Sequence, residues 1–324
     1  LKARKFYHLI HLQRETYYSI ISFGLQVFFK KILKIFTNFY SGFCPGGEKP
    51  LAFERRMALK MIFDTHAHYD DEVFDGDRQA LLESMPEKGV GYIVDVGASM
   101  ESCQRVLALA EKYSFVYGAI GIHPSETENL KEEDMQWLKE KAANPKVAAI
   151  GEIGLDYYWP EPDRAVQRKW FERQLLLARE VNLPVIVHSR DAAGDTLDIL
   201  KGWEKDKTRG VIHCFSYTKE TAREYLNMDY YFGIGGVLTF KNARKLLEAA
   251  EYIPLNRILL ETDCPYLAPE PYRGKRNQSP YIDFVAERLA QIKKITKEEV
   301  LEKTLQNGLE FYGIDCGKEG DTDG

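Results

Sequence analysis

A chain of 324 residues, 44% hydrophobic and 29% charged, has the composition of a soluble globular protein, long enough for one large α/β domain or two medium ones. Its five cysteines form no CxxC pair and no even-numbered framework, which argues against a disulfide scaffold and leaves free thiols in a cytoplasmic protein as the simpler account. The net charge of −5 hides an asymmetry: residues 1–60 carry 11 basic and 3 acidic side chains, residues 61–324 carry 33 and 46. An acidic body is a poor general binder of duplex DNA, so any nucleic-acid role must rest on a local basic loop or on metal ions.

The first sixty residues stand apart. Tyr17 to Phe29 is apolar and aromatic but too short to span a bilayer, and no small-residue cleavage pattern follows it. With Lys30, Lys31 and Lys34 behind it, the stretch reads as a basic interfacial helix, as a loose tail, or as translated upstream sequence. The last reading is preferred. The chain opens on Leu1, Met57 or Met61 would serve as the start, and Glu54-Arg55-Arg56 suits the purine-rich triplets of a ribosome-binding site. Residues 1–60 are therefore expected to be an N-terminal extension, disordered or outside the native protein, ahead of one domain over 61–324. No stable membrane partner is expected.

From Met61 onward, β-rich runs alternate with amphipathic helical stretches. Met61–Phe63 is the first strand and runs into His66-Ala67-His68; a helix near 76–86 follows. Strands are predicted at 92–97, 115–122 and 147–152, with a helix over 101–113 and a charged one around Leu130, Met135 and Leu138 between them. After Pro162, Val166, Trp170, Leu177 and Val181 share one helical face. Further strands fall at 184–188, 210–214, 230–236 and 257–263, and helices over 279–294 and 297–312 close the chain. Eight strands alternating with helices predict an α/β fold, an eight-stranded parallel β/α (TIM) barrel. A doubly wound open sheet is the runner-up, but no Gly-rich phosphate fingerprint follows the first strand.

Metal-capable side chains cluster at the carboxyl ends of these strands, the face on which a barrel builds its site. His66 and His68 end the first, Glu152 the fourth, His188 the fifth, His213 the sixth and Asp263 the eighth. Imidazoles bind divalent transition metals and carboxylates can bridge two ions, so this mixture predicts two divalent cations. Glu152 has the position to bridge; Asp263 is the candidate to bind metal and to take a proton from water. His123 either touches substrate or packs beneath the site, and Asp64 either orients a ligand imidazole or is simply solvated. Cys214 and Cys264 follow ligands and are expected to face away. Tyr157, Tyr158 and Trp159 either stack a base or close the rim. Arg273, Lys275 and Arg276, beside the predicted site in an acidic body, are either substrate-binding cations for a phosphate or ion-pair partners of the barrel's acidic surface.

Several of these runs together resemble the TatD-type metal-dependent deoxyribonucleases of the amidohydrolase-like superfamily. They are Phe63-Asp64-Thr65-His66-Ala67-His68, Ile150-Gly151-Glu152-Ile153-Gly154-Leu155-Asp156, Pro184-Val185-Ile186-Val187-His188, His213-Cys214-Phe215-Ser216, Leu260-Glu261-Thr262-Asp263-Cys264-Pro265 and Arg273-Gly274-Lys275-Arg276-Asn277. The resemblance spans 61–312 and implies that His66, His68, Glu152 and Asp263 hold one metal and Glu152, His188 and His213 a second. It also implies a magnesium-dependent DNase, often a 3′–5′ exonuclease on single-stranded or damaged DNA. The imidazole-rich set by itself favours zinc or manganese, so magnesium, manganese and zinc all stay open. Two departures touch substrate details: Ser125 where relatives often have a second histidine, and Gln278-Ser279 in place of the usual Glu after Arg-Asn.

The expectation is thus a metal-dependent phosphodiesterase hydrolysing DNA with a two-metal-activated water, its oligomeric state open and a monomer among the options. The alternative is a metal-dependent amidohydrolase or lactonase acting on a small neutral substrate; only the basic loop argues against it. A non-catalytic metal-dependent scaffold is the remaining rival.

Overall fold

A computed structural model of the chain describes residues 61–203 and 209–315. The expectations for residues 1–60, and for the last residues of the 61–324 domain, lie outside the described residues. Eight strands form one parallel sheet in sequential order: β1 (Ile62–Ala67), β2 (Val90–Val96), β3 (Val116–Ile120), β4 (Val147–Asp156), β5 (Val185–Arg190), β6 (Gly210–Ile212), β7 (Tyr231–Ile234) and β8 (Ile258–Leu260). The helices between and after them are α1 (Arg78–Glu83), α2 (Met100–Lys112), α3 (Glu132–Lys141), α4 (Arg164–Val181), α5 (Ala193–Trp203), α6 (Lys219–Asn227), α7 (Arg244–Tyr252), α8 (Ile282–Lys293) and α9 (Lys297–Tyr312).

The expected barrel is what the chain forms. Its last seam is closed by few bonds: β8 stops at Leu260, and the chain beyond it meets β1 through Asp263 N–H to His66 O (2.9 Å) and His68 N–H to Cys264 O (2.8 Å). Below them Asp64 is stitched to the other side, its Oδ1 accepting from Thr262 N–H (3.0 Å) and its Oδ2 from the Thr262 hydroxyl (2.6 Å) and the Ser279 hydroxyl (2.7 Å). Burial pushes the Asp64 carboxyl up to about 7, against those hydrogen bonds. Asp64 therefore holds the seam and the backbone N–H of His66 (3.4 Å), and no ligand imidazole ring.

Both faces of the sheet are buried, which is why its strands read as near-continuous apolar runs. Alternate residues divide between two cores. Val94, Ala119, Ala149, Ile186, Val211 and Leu259 fill the barrel interior, plugged at the amino-terminal end by Phe311 and Tyr312 of α9. Their neighbours Ile93, Ile120, Ile150, Val185, Ile212 and Leu260 pack outward under the helices. Each fully buried Val, Leu or Ile among them contributes roughly 1.5–3 kcal/mol. Helix ends follow familiar chemistry: Thr296 and Glu299 form a capping box at the start of α9, and Gly313 (φ 65°) ends it in the left-handed region.

Two register shifts position the site. One falls between Asp64 and Ala67 on β1, the other between Ile150 and Ile153 on β4. Each changes the phase of the alternation, so that His66, three residues past inward-facing Phe63, and Glu152, three past inward-facing Ala149, also reach the barrel axis. Strand β4 runs four residues past Glu152, beyond the predicted end, and carries Asp156 on the same side. It lies close against β5 at Gly154 (φ 146°), where a Cβ would stand 2.0 Å from the His188 carbonyl oxygen.

Candidate metal centre

At the carboxyl end of the barrel lies a cavity of about 1000 Å³, with His68, Glu152, His188, His213 and Asp263 in its lining. His66 lies beneath them, 1% exposed, its ring stacked on that of His213 with centroids 3.6 Å apart. All six predicted ligands are brought together.

They divide around the two oxygens of Glu152. Oε2 faces His66 Nε2 (3.5 Å) and His68 Nε2 (3.9 Å); those nitrogens are 3.1 Å apart and stand 3.8 and 3.3 Å from Asp263 Oδ1. Oε1 accepts from His188 Nδ1 (2.6 Å) and lies 3.5 Å from His213 Nε2. A four-ligand shell at 2.0–2.1 Å places neighbouring donors about 3.3 Å apart. The donor spacing of the His66, His68, Glu152 and Asp263 cluster fits such a shell, and His213 Nε2, 3.8 Å from Asp263 Oδ1, links the clusters.

Neighbouring groups set the tautomers. His68 Nδ1 lies 2.8 Å from the Val96 carbonyl, which can only accept, so the proton of a neutral ring sits on Nδ1 and Nε2 offers its lone pair. His213 Nδ1 lies 3.1 Å from Glu261 Oε1 without hydrogen-bond geometry, while its Nε2 lies 3.5 Å from Glu152 Oε1 in the site. Asp156 Oδ2 lies 3.2 Å from His188 Nε2. Asp156 and Glu261 are partners that the sequence reading did not single out. Asp156 had a signal, the alternation that puts it on one face of β4 with Glu152; Glu261 lies past the end of β8, where alternation supplies none.

The site's field demands positive charge. Burial opposes charging of His68, yet Asp263, Glu152 and Asp70 raise its pKa to about 10; for His213 burial is outweighed by Glu261, Glu152 and Asp263, which raise it to about 9. Burial also works against ionising Glu152, but the charges of His213 and His188 hold it well below its ordinary value; Asp263 is likewise lowered against burial by His213 and His68. In protein stripped of metal, the stabilisation from these raised imidazoles is complete below 6.5 and is lost as the pH rises through about 9 to 10. Stripped protein is therefore expected to melt at lower temperature at about pH 10 than at about pH 6.5, and restoring a divalent cation should narrow that difference. A melting series across pH in a chelator checks this; a flat profile would contradict the imidazole–carboxylate network.

His123 joins the cavity wall, its ring 4.4 Å from that of His188. Its Nδ1 accepts from Ser125 N–H (3.2 Å), so a neutral ring carries its proton on Nε2. Burial and the charge of His188 lower its pKa to about 3. It is thus a neutral N–H donor beside the Glu152–His188 pair. Cys214 departs from expectation. Strand β6 ends at Ile212 and Cys214 takes φ 46°, so the alternation no longer applies and its thiol lines the cavity near His213 and Asp263. Cys264 is fully buried, as expected.

The predicted phosphate cations sit elsewhere. Arg273, Lys275 and Arg276 are exposed and absent from the cavity lining. Arg276 makes a two-pronged pair with Asp77 (2.8 and 2.5 Å), and the Arg273 guanidinium lies 4.3 Å over Phe240. Among the described residues, the Arg and Lys side chains in the cavity wall are Arg105 and Arg190, both missed in the sequence because neither stands in a basic run.

Comparison with known proteins adds the following. Residues 63–313 match the family described as TatD related DNase. The chain is 44% identical over 254 residues to the uncharacterized metal-dependent hydrolase YabD of Bacillus subtilis, covering 78% of this chain and 100% of that one. It is 36% identical over 260 residues to the uncharacterized metal-dependent hydrolase YcfH of Escherichia coli, covering 79% and 97%. Among solved structures, the TatD homolog YjjV of Escherichia coli superposes with a TM-score of 0.75 at 32% identity, over 79% of this chain and 100% of that one.

Proposed function

The chain belongs to the TatD related DNase family and is a metal-dependent hydrolase, and from that premise we propose that it hydrolyses phosphodiester bonds of DNA, as a 3′–5′ exonuclease on single strands. The observation that carries the reading is Glu152, which presents one oxygen to each of two imidazole clusters at the floor of a cavity with arginines in its wall. The residues fit two divalent cations: His66, His68, Glu152 Oε2 and Asp263 would hold one, Glu152 Oε1, His188 and His213 the other. When bound, two such ions acidify water and polarise a phosphoryl oxygen; magnesium, manganese and zinc are all compatible with the donors.

The remaining work falls to the chain itself. Asp263 is ionised at neutral pH and borders the cavity, so its carboxylate can take the proton released as water attacks phosphorus. His123 offers Nε2–H to a phosphate oxygen beside the second cluster. Arg105 and Arg190 compensate the charge of a polyanion against the acidic wall that Asp70, Asp71 and Glu72 contribute. Arg273 and Lys275, exposed outside the cavity, suit contact with strand beyond the cleaved nucleotide. One copy of the chain contains every group named. No helix among the described residues is long and apolar enough to cross a membrane. A cytoplasmic setting belongs to this reading, in which Cys103, Cys214 and Cys264 are unpaired thiols.

The test is full-length protein, stripped and refilled with one divalent metal at a time, on end-labelled single-stranded DNA. Metal-dependent shortening from the 3′ end is expected. Turnover of a lactone or amide with no shortening of DNA would replace this reading by the amidohydrolase one.

A further inference from the structure

Large apolar side chains at the surface mark binding sites when they gather on a functional rim. Two such aromatic residues line the cavity: Trp159, 57% exposed, and Tyr266, 54% exposed. Trp159 follows β4 and Tyr266 follows β8, and these strands stand four apart in a ring of eight, on opposite sides of the mouth.

Each residue is linked by a short series of contacts to the predicted ligands. Trp159 stands edge-on to Tyr158 (4.8 Å, 90°), and the Arg190 guanidinium lies 3.9 Å from the Tyr158 ring centroid. Tyr158 N–H donates to Asp156 Oδ1 (3.0 Å), and the other oxygen of Asp156 faces His188. On the far wall Tyr266 N–H donates to the Asp263 carbonyl (2.9 Å) and its hydroxyl to Asp71 Oδ2 (2.9 Å). Rings held this way, wet on one side and tied at the base, are stacking surfaces with little ordering left to lose.

Resting on the DNA reading above, we propose that Trp159 and Tyr266 are a pair of nucleobase platforms, one for each base flanking the cleaved phosphate. Stacked neighbours in a strand lie roughly 3.4 Å apart. Bases on opposite walls of this cavity are further apart than that, so the substrate is bound with its last two bases splayed. Paired ends must first melt to enter, which makes unpaired strands the preferred class of substrate.

The test uses the full-length, metal-loaded enzyme and a labelled oligothymidylate. Two matched strands lack either the terminal or the penultimate base. On the intact strand W159A and Y266A should each raise KM roughly tenfold, the effect falling on KM rather than on kcat. Y266F, which keeps the ring, should recover most of the loss. Each alanine variant should converge with wild type on one of the two abasic strands, and the two variants on different strands. If wild type shortens DNA but the alanine variants match its KM, or keep their deficit on both abasic strands, the platforms are refuted and the nuclease reading stands. If wild type shortens no DNA with any metal, the nuclease reading itself falls and takes this inference with it.

Discussion

Glu152→Ala is expected to abolish hydrolysis and cation binding together. The residue is 4% exposed and turns one oxygen to each cluster, with His66 Nε2 at 3.5 Å from Oε2 and His188 Nδ1 at 2.6 Å from Oε1. Removing it leaves four imidazoles, two of them buried and two half-buried, with a single ligand carboxylate, Asp263, to offset any bound charge. Loss of a shared ligand removes both sites, so activity should fall by at least about 10³-fold, the range in which positioned electrostatic groups act. Metal content by elemental analysis and DNA shortening are the paired measurements. A variant that keeps both its metal and its activity would refute the bridging role.

The second large effect is expected from Asp263→Asn. This change keeps the shape and removes the charge, and with it the capacity to take a proton from water. Groups in that role contribute about 10²–10⁴-fold to kcat. The loss should fall mainly on kcat, because the cluster of Glu152, His188 and His213 retains its donors. A kcat within about threefold of wild type, measured with full metal loading and flanked by the ~10²-fold loss expected of a base, would assign proton transfer to another group.

How far the sequence carried the site depends on whether the strands alternate cleanly. From Ile186 to His188 and from Val211 to His213 the count is even, so interior-facing apolar residues lead by simple alternation to those ligands, whereas Asp263, past the end of β8 with φ 56°, was legible by residue type alone. His66 and Glu152 break that rule, because a register shift precedes each. They were legible only as residue types at strand ends, and a count from Phe63 or Ala149 would have turned both outward. Cys214 was misread for a related reason: a left-handed residue just past β6 turns its thiol to the cavity. The barrel itself was legible because parallel strands buried on both faces leave long apolar runs. The basic loop at 273–276 looked like a phosphate site because charge is visible in a sequence and its partner is not. Asp77, lying about two hundred positions earlier, engages Arg276.

The seam between β8 and β1 has a consequence for how the protein is made. Asp64 and Thr262, bonded to each other across it, are separated by 198 positions, and the same crossing brings Asp263 to His66. On a ribosome, the first cluster cannot exist until almost the whole barrel has left the exit tunnel. A nascent chain holding His66, His68 and even Glu152 still lacks the carboxylate that completes that set, and such distant contacts form late. The order of synthesis alone thus keeps an incomplete chain from carrying the complete first cluster.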